Sequence, residues 1–144
     1  MNSVTALLLT AIAPSGEANF RDPPACWDGS QHELNVCAGK EYRQADAGMN
    51  DQWAKTEALM KRLDAEDPPK AELGQSSHHQ ALLKGQRAWL QFRDAYCPIF
   101  GAGGGSMRPM LEYLCLRDIT RSRTEQLKKL MSNPATGNAY YEDQ

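Results

Sequence analysis

Two cysteines, Cys97 and Cys115, stand on either side of a turn that carries Gly101, Gly103, Gly104 and Gly105. A covalent link between them holds the segments before and after the turn side by side, so a stapled hairpin dominates what this chain can become. The segment before the turn, residues 86–97, reads Gln-Arg-Ala-Trp-Leu-Gln-Phe-Arg-Asp-Ala-Tyr-Cys. Leu82, Leu83, Trp89, Leu90 and Tyr96 form a helical apolar stripe, and Gln86 and Arg93 are set into that seam. Polar groups in an apolar seam need partners, so this helix has to meet complementary polar groups on a neighbour.

Cys26 and Cys37 complete an even cysteine count. Four cysteines allow three pairings, and the sequence-local one, Cys26–Cys37 with Cys97–Cys115, is preferred. Four thiolates could also hold zinc, but the chain lacks any C-x2–4-C spacing. An apolar run from Val4 to Ala13 precedes the cysteines. It is shorter than the roughly 20 residues a membrane-spanning helix needs, and it fits a signal peptide ending near residue 18. No Lys or Arg stands before it. A leader and paired cysteines together predict a periplasmic or secreted protein without stable membrane insertion. The net charge of −2 argues against a nucleic-acid partner.

The expected organisation is a signal peptide over 1–18, an extended lead-in over 19–29, one helical domain over 30–132 and a flexible tail over 133–144. Ser30-Gln31-His32-Glu33 is a capping box that opens a first helix ending near Asp64, before Asp67-Pro68-Pro69. Gly39 and Gly48 within it mark close approach of another element or a slight bend. Ser76 or Ser77 caps a second helix over about 78–97, closed by Pro98. Ser106 caps a third, whose buried stripe runs from Met107 through Met110, Leu114, Ile119 and Leu127 to Met131. No stretch alternates with a period of two. The fold class is all-α, with three main antiparallel helices and two disulfides.

Asp46 and Asn50 share one side of the first helix, and Gln86 and Arg93 share one side of the second. This spacing predicts a polar cluster of Asp46, Asn50, Gln86 and Arg93 that sets helix register. Asp94 with Arg87 reads as a solvated surface pair. A catalytic pairing of Asp46 with Asp94 would need both acids in one cleft. His78 and His79 are adjacent, point about 100° apart on a helix, and make a poor shared metal site. No cofactor or metal is expected. The glycine turn followed by Ser106 lacks the lysine and preceding strand of a phosphate-binding loop. Gly103, Gly104, Gly105, Ser106 and Arg108 are instead the candidate partner-binding loop.

The ordered set of pieces resembles the lysozyme-inhibitor LprI-type N-terminal domain family. The pieces are Cys26, Glu33-Leu34-Asn35-Val36-Cys37, Glu41-Tyr42, Ala45-Asp46 and Met49-Asn50, then Gln86-Arg87-Ala88-Trp89-Leu90 and Phe92-Arg93-Asp94-Ala95 with Cys97. Gly104-Gly105-Ser106, Met110, Cys115-Leu116, Ile119-Thr120 and Arg123 complete it. Trp53 stands where the family usually shows Tyr. The resemblance implies a helical, disulfide-containing protein of the bacterial envelope, whose founding relative is regarded as a lysozyme inhibitor. The expected function is a non-enzymatic, exported protein-binding module with a lysozyme-like partner. The alternatives are a structural or stress-related interaction protein of the periplasm, and a cell-wall glycan hydrolase.

Overall fold

The computed structural model describes Cys26 and residues 28–132. The expected signal peptide, most of the lead-in and the expected tail, with Tyr140 and Tyr141, lie outside the described residues. Every regular element among the described residues is helical.

The first helix, α1, spans Gln31–Glu66. Its capping box is complete: the Ser30 hydroxyl accepts from the Glu33 amide, and the Ser30 amide donates to Glu33 Oε2 at 2.7 Å. The helix runs two residues past Asp64, because the Asp67 amide still reaches the Leu63 carbonyl at 2.9 Å before Pro68 stops the ladder. A short 3-10 turn at Ala71–Leu73 and Gly74 at φ +70° bring the chain back.

The second helix, α2, spans His78–Tyr96 and carries two caps. Ser77 Oγ accepts from the Gln80 amide at 3.0 Å. Asp64, on α1, accepts from the amides of His78 at 2.7 Å and His79 at 2.9 Å. One helix therefore satisfies the orphan donors of the next, which fixes where α2 starts against α1. Partial burial of the Asp64 carboxyl favours its neutral form. The backbone bonds from His79 and His78 and the His78 ring outweigh that and lower its pKa to about 2.

Pro98 closes α2 as expected, since that helix ends at Tyr96. Pro98 also opens a one-turn helix, α3, at Pro98–Gly101. Proline fits there because a first-turn amide has no intrahelical partner to lose. Gly101 packs on the last main helix, where a Cβ would lie 2.7 Å from Glu112 Cγ and 2.8 Å from Arg108 Cγ. Gly103 and Gly105 take positive φ, and a 3-10 turn at Gly105–Met107 leads into α4, Arg108–Ser132. Ser106 lies within that 3-10 turn, one residue too early to flank α4 as its cap. Its carbonyl accepts from Asn35 Nδ2 at 3.0 Å, so the loop is tied to α1.

α2 runs antiparallel to α1 and to α4, and α1 and α4 run parallel with the most extensive contact. The core is small: Met49, Met60, Leu82 and Leu127, with Trp53, Leu59, Leu63, Trp89 and Leu130 packed on it. Polar residues are buried beside it. Thr56 Oγ1 donates to the carbonyls of Gln52 and Leu127, and Gln52 Nε2 donates to Thr56 Oγ1. Tyr96, Met107 and Met131, expected in buried stripes, are exposed. They sit at helix ends, where no facing helix remains to cover them. Gly39 does mark a close approach, since an added Cβ would lie 3.3 Å from the Tyr113 ring, whereas Gly48 faces nothing within 4 Å.

Both sequence-local disulfides are present, with Cα–Cα distances of 5.6 Å for Cys26–Cys37 and 5.5 Å for Cys97–Cys115. The second joins the end of α2 to the second turn of α4. Replacing Cys97 and Cys115 by alanine is expected to lower unfolding free energy by about 3 kcal/mol, read by urea denaturation. Asp64 makes a pH prediction. Its folded pKa lies below the ordinary 3.8, so its contribution is full above about pH 4 and is lost as pH falls toward about 2. Asp64→Asn should lower the melting temperature at pH 7 and flatten the fall in stability between pH 4 and pH 2.

Candidate functional site

Two buried arginines hold α1 from its two neighbours. On α2, Arg93 Nη1 donates to Asp46 Oδ1 at 3.1 Å, and its Nε donates to Asp94 Oδ1 at 2.9 Å. Its guanidinium lies 5.6 Å from the Tyr42 ring centroid and 5.2 Å from that of Trp89. On α4, Arg117 Nη1 donates to Glu41, and its Nε donates to Asp118 Oδ1 at 2.6 Å. Each arginine thus takes one acid from α1 and one from the next position in its own helix. Burial alone would lower both arginine pKa values. The hydrogen bonds and charges of these acids, with Tyr42 acting on Arg93 as well, raise them instead, and both remain cations.

The four residues of the expected polar cluster are divided by the fold. Asp46 and Arg93 form an ion pair between α1 and α2. Asn50 is exposed and donates to Asp46 Oδ2 at 3.2 Å. Gln86 turns toward α4, where its Oε1 accepts from Arg123 Nε at 2.9 Å. Asp94 bonds Arg93 rather than standing with Arg87. Arg117 and Glu41 form a buried counterpart that the apolar periodicity did not point to. A usable signal was present, since Arg-Asp occurs at 93–94 and again at 117–118.

The arrangement does not favour acid–base chemistry. An acid kept protonated near neutrality needs an apolar pocket. Asp46 and Asp94 both bond one guanidinium, and the Asp94 side chain is 61% exposed. His78 pairs with Asp64, and His79 Nε2 lies 2.9 Å from Glu57 Oε1. Cys26, Cys37 and Glu41 present their ligand atoms within 4.8 Å of one another, but the two sulfurs are joined as a disulfide and offer no thiolate.

The stapled end carries a different kind of feature. Phe92, Tyr96 and Phe100 follow one another along α2 into α3, with centroids 5.1 Å and 5.4 Å apart. They are 53%, 39% and 48% exposed, and neighbouring Ile99 is 64% exposed. The glycine loop lies at the same end. Gly103, Gly105, Ser106 and Arg108 are exposed, Gly104 is half-buried, and Arg108 Nε pairs with Glu112 at 2.8 Å. A cleft of about 250 Å³ adjoins the loop, lined by His32, Asn35, Val36, Gly39, Arg43 and Tyr113.

A family model described as "Lysozyme inhibitor LprI" matches residues 26–127. An uncharacterized protein of Rhizobium meliloti (strain 1021) is 44% identical over 133 residues, which cover 88% of this chain and 91% of that protein. No solved structure matches the chain.

The Arg117–Glu41 contact makes a testable prediction. Arg117→Met leaves Glu41, 15% exposed, without its cation and should cost about 3 kcal/mol. Adding Glu41→Leu should restore most of it, because a buried pair and a packed apolar pair differ little. Denaturant titration of the two single variants and the double variant reads both effects.

Proposed function

The chain belongs to the LprI lysozyme-inhibitor family, and from that premise we propose that it is an exported, non-enzymatic module that binds and inhibits a lysozyme-like muramidase. One observation carries the reading: the exposed aromatic row Phe92, Tyr96 and Phe100 with Ile99, held rigid by the Cys97–Cys115 staple. Contiguous exposed apolar surface marks interaction sites, and aromatic side chains dominate interface energetics. The two disulfides suit the periplasm or the extracellular space. Among the described residues no helix is long and apolar enough to cross a membrane.

Muramidases cut glycan between two carboxyl groups in an open cleft. An inhibitor needs only to fill that cleft. The stapled end offers exposed surface for this, with the aromatic row and, at the same end, Gly103, Gly104, Gly105, Ser106 and Arg108. Net charge contributes little to steering: removing residues 1–18 deletes one acid, Glu17, and leaves 17 acids against 16 basic residues. Affinity would therefore rest on apolar burial and local pairing. The Asp46 and Asp94 geometry supports the non-enzymatic half of the reading.

The test is inhibition of a c-type lysozyme on cell-wall substrate by the oxidised protein. We expect stoichiometric inhibition that disappears when the disulfides are reduced. Phe92→Ser with Phe100→Ser should weaken it about tenfold or more, with the melting temperature little changed because both rings are exposed. Absence of inhibition at high micromolar protein would sink the muramidase reading for that class.

A further inference from the structure

α1 carries one stripe along almost its whole length: His32, Val36, Gly39, Arg43, Asp46, Asn50, Trp53, Glu57 and Asp64 recur at three, four or seven residues. From Asp46 onward α2 covers it. Arg93 meets Asp46, His79 meets Glu57, and His78 and His79 meet Asp64. The charges alternate by element, with acids on α1 facing cations and imidazoles on α2.

N-terminal to Asp46 the stripe loses its cover. α2 is 19 residues long and α1 is 36, so by rise alone α1 is about 25 Å longer. The Cys97–Cys115 staple and α3 then take the chain onto α4, where Gly101 packs on Glu112 and Arg108, and not along α1. His32, Val36, Gly39 and Arg43 consequently form the floor of the 250 Å³ cleft, with Tyr113 as one wall and Asn35 at the edge nearest Ser106. Val36 is 55% exposed.

The sign of the stripe also reverses there. Beneath α2 it is acidic, and in the cleft its charged residue is Arg43, with His32 nearby. The acids on adjacent turns are already engaged: Glu33 by Ser30, Glu41 by Arg117, Asp46 by Arg93 and Glu112 by Arg108. Among the described residues Arg43 has no carboxylate partner. Gly39 keeps the site open, since a Cβ there would lie 3.3 Å from the Tyr113 ring and 3.4 Å from Arg43 Nη1.

We infer that this cleft receives a carboxylate-bearing segment of the protein partner, with Arg43 pairing the carboxylate and Val36 and Tyr113 packing on the segment's apolar part. The inference deepens the inhibitor reading, because the cleft adjoins the loop of the stapled end. Complementary charge selects the ligand. An arginine presents a planar fork that matches a carboxylate, and Arg43 is exposed to receive one.

Two arms test it. In the first, the oxidised, 15N-labelled full chain is titrated with acetyl-Glu-Glu-Glu-amide and, separately, with acetyl-Gln-Gln-Gln-amide. Saturable shifts of the Gly39 and Asn35 amides and the Arg43 Nε–H with the glutamate peptide alone, with the Gly39 and Asn35 shifts lost in R43Q, are the expected result. No saturable shift, or Gly39 and Asn35 shifts that survive R43Q, overturns the inference. Cleft resonances that move with protein concentration and no peptide would place a second copy of the chain there and also overturn it. In the second arm, c-type lysozyme is titrated with wild type, R43K and R43Q. An about tenfold or greater loss of affinity in R43Q, partly restored in R43K, is expected. Equal affinity of wild type and R43Q overturns the inference while leaving the inhibitor reading intact. If wild type itself fails to bind, the lysozyme reading falls and the peptide arm decides the cleft.

Discussion

The fold depends on α1 being gripped by two arginines, Arg93 from α2 and Arg117 from α4. Their α1 partners, Asp46 and Glu41, lie five residues apart, so the two grips act about 7.5 Å apart along the axis, on different flanks of the helix. A buried ion pair seldom adds much net stability, because desolvation offsets the attraction. Its effect is on alternatives. Sliding α2 or α4 by one turn along α1 would part each guanidinium from its α1 acid and leave it only the acid that follows it in its own helix, Asp94 or Asp118. Met49, Met60, Leu82 and Leu127 would tolerate such a slip far better, since methionine repacks easily. The apolar core supplies collapse, and the arginines choose the register.

That register has a consequence at the N-terminal end of α1. With Arg93 level with Asp46 and α2 ending three residues later at Tyr96, α2 stops short of about the first three turns of α1. The staple then draws the chain to α4, because Cys115 lies there and Cys97 must come within disulfide reach of it. Phe92, Tyr96 and Phe100 remain on the outside of the turn, and the first turns of α1 remain uncovered on one side. The apolar row and the basic cleft are thus products of one geometric mismatch between a long helix and a shorter neighbour. In an inhibitor such an end is useful: it is rigid, apolar in part, and not consumed by internal packing.

Much of this could be read beforehand, and the failures share a cause. The capping box at Ser30 and Glu33, the Ser77 cap and the local pairing of four cysteines are short-range features, and each matches the structure. Gln86 and Arg93 were recognisable as buried polar residues because their own helix is amphipathic. Arg93 pairs with Asp46, the acid that the helical spacing points to, but Gln86 takes Arg123 on α4, because a one-helix pattern carries no information about which further neighbour a side chain meets. Pro98 closes α2 as a helix-stop signal should, and the separate turn it then opens is what such a signal does not state. Ser106 looked like a cap from composition, but the turn before α4 uses its carbonyl instead.

The sequence by itself determined the class of the protein: helices at the periods of the apolar residues, their caps, the staples and the family resemblance. These follow from interactions within about four residues or from covalent chemistry, which a linear chain states directly. Only the tertiary structure decided that α1 and α4 lie parallel, that Arg117 takes Glu41, and that Arg43 and Tyr113 meet over Gly39. Those contacts join residues more than sixty positions apart. They depend on the relative lengths and heights of packed helices, quantities that exist only once the chain has folded.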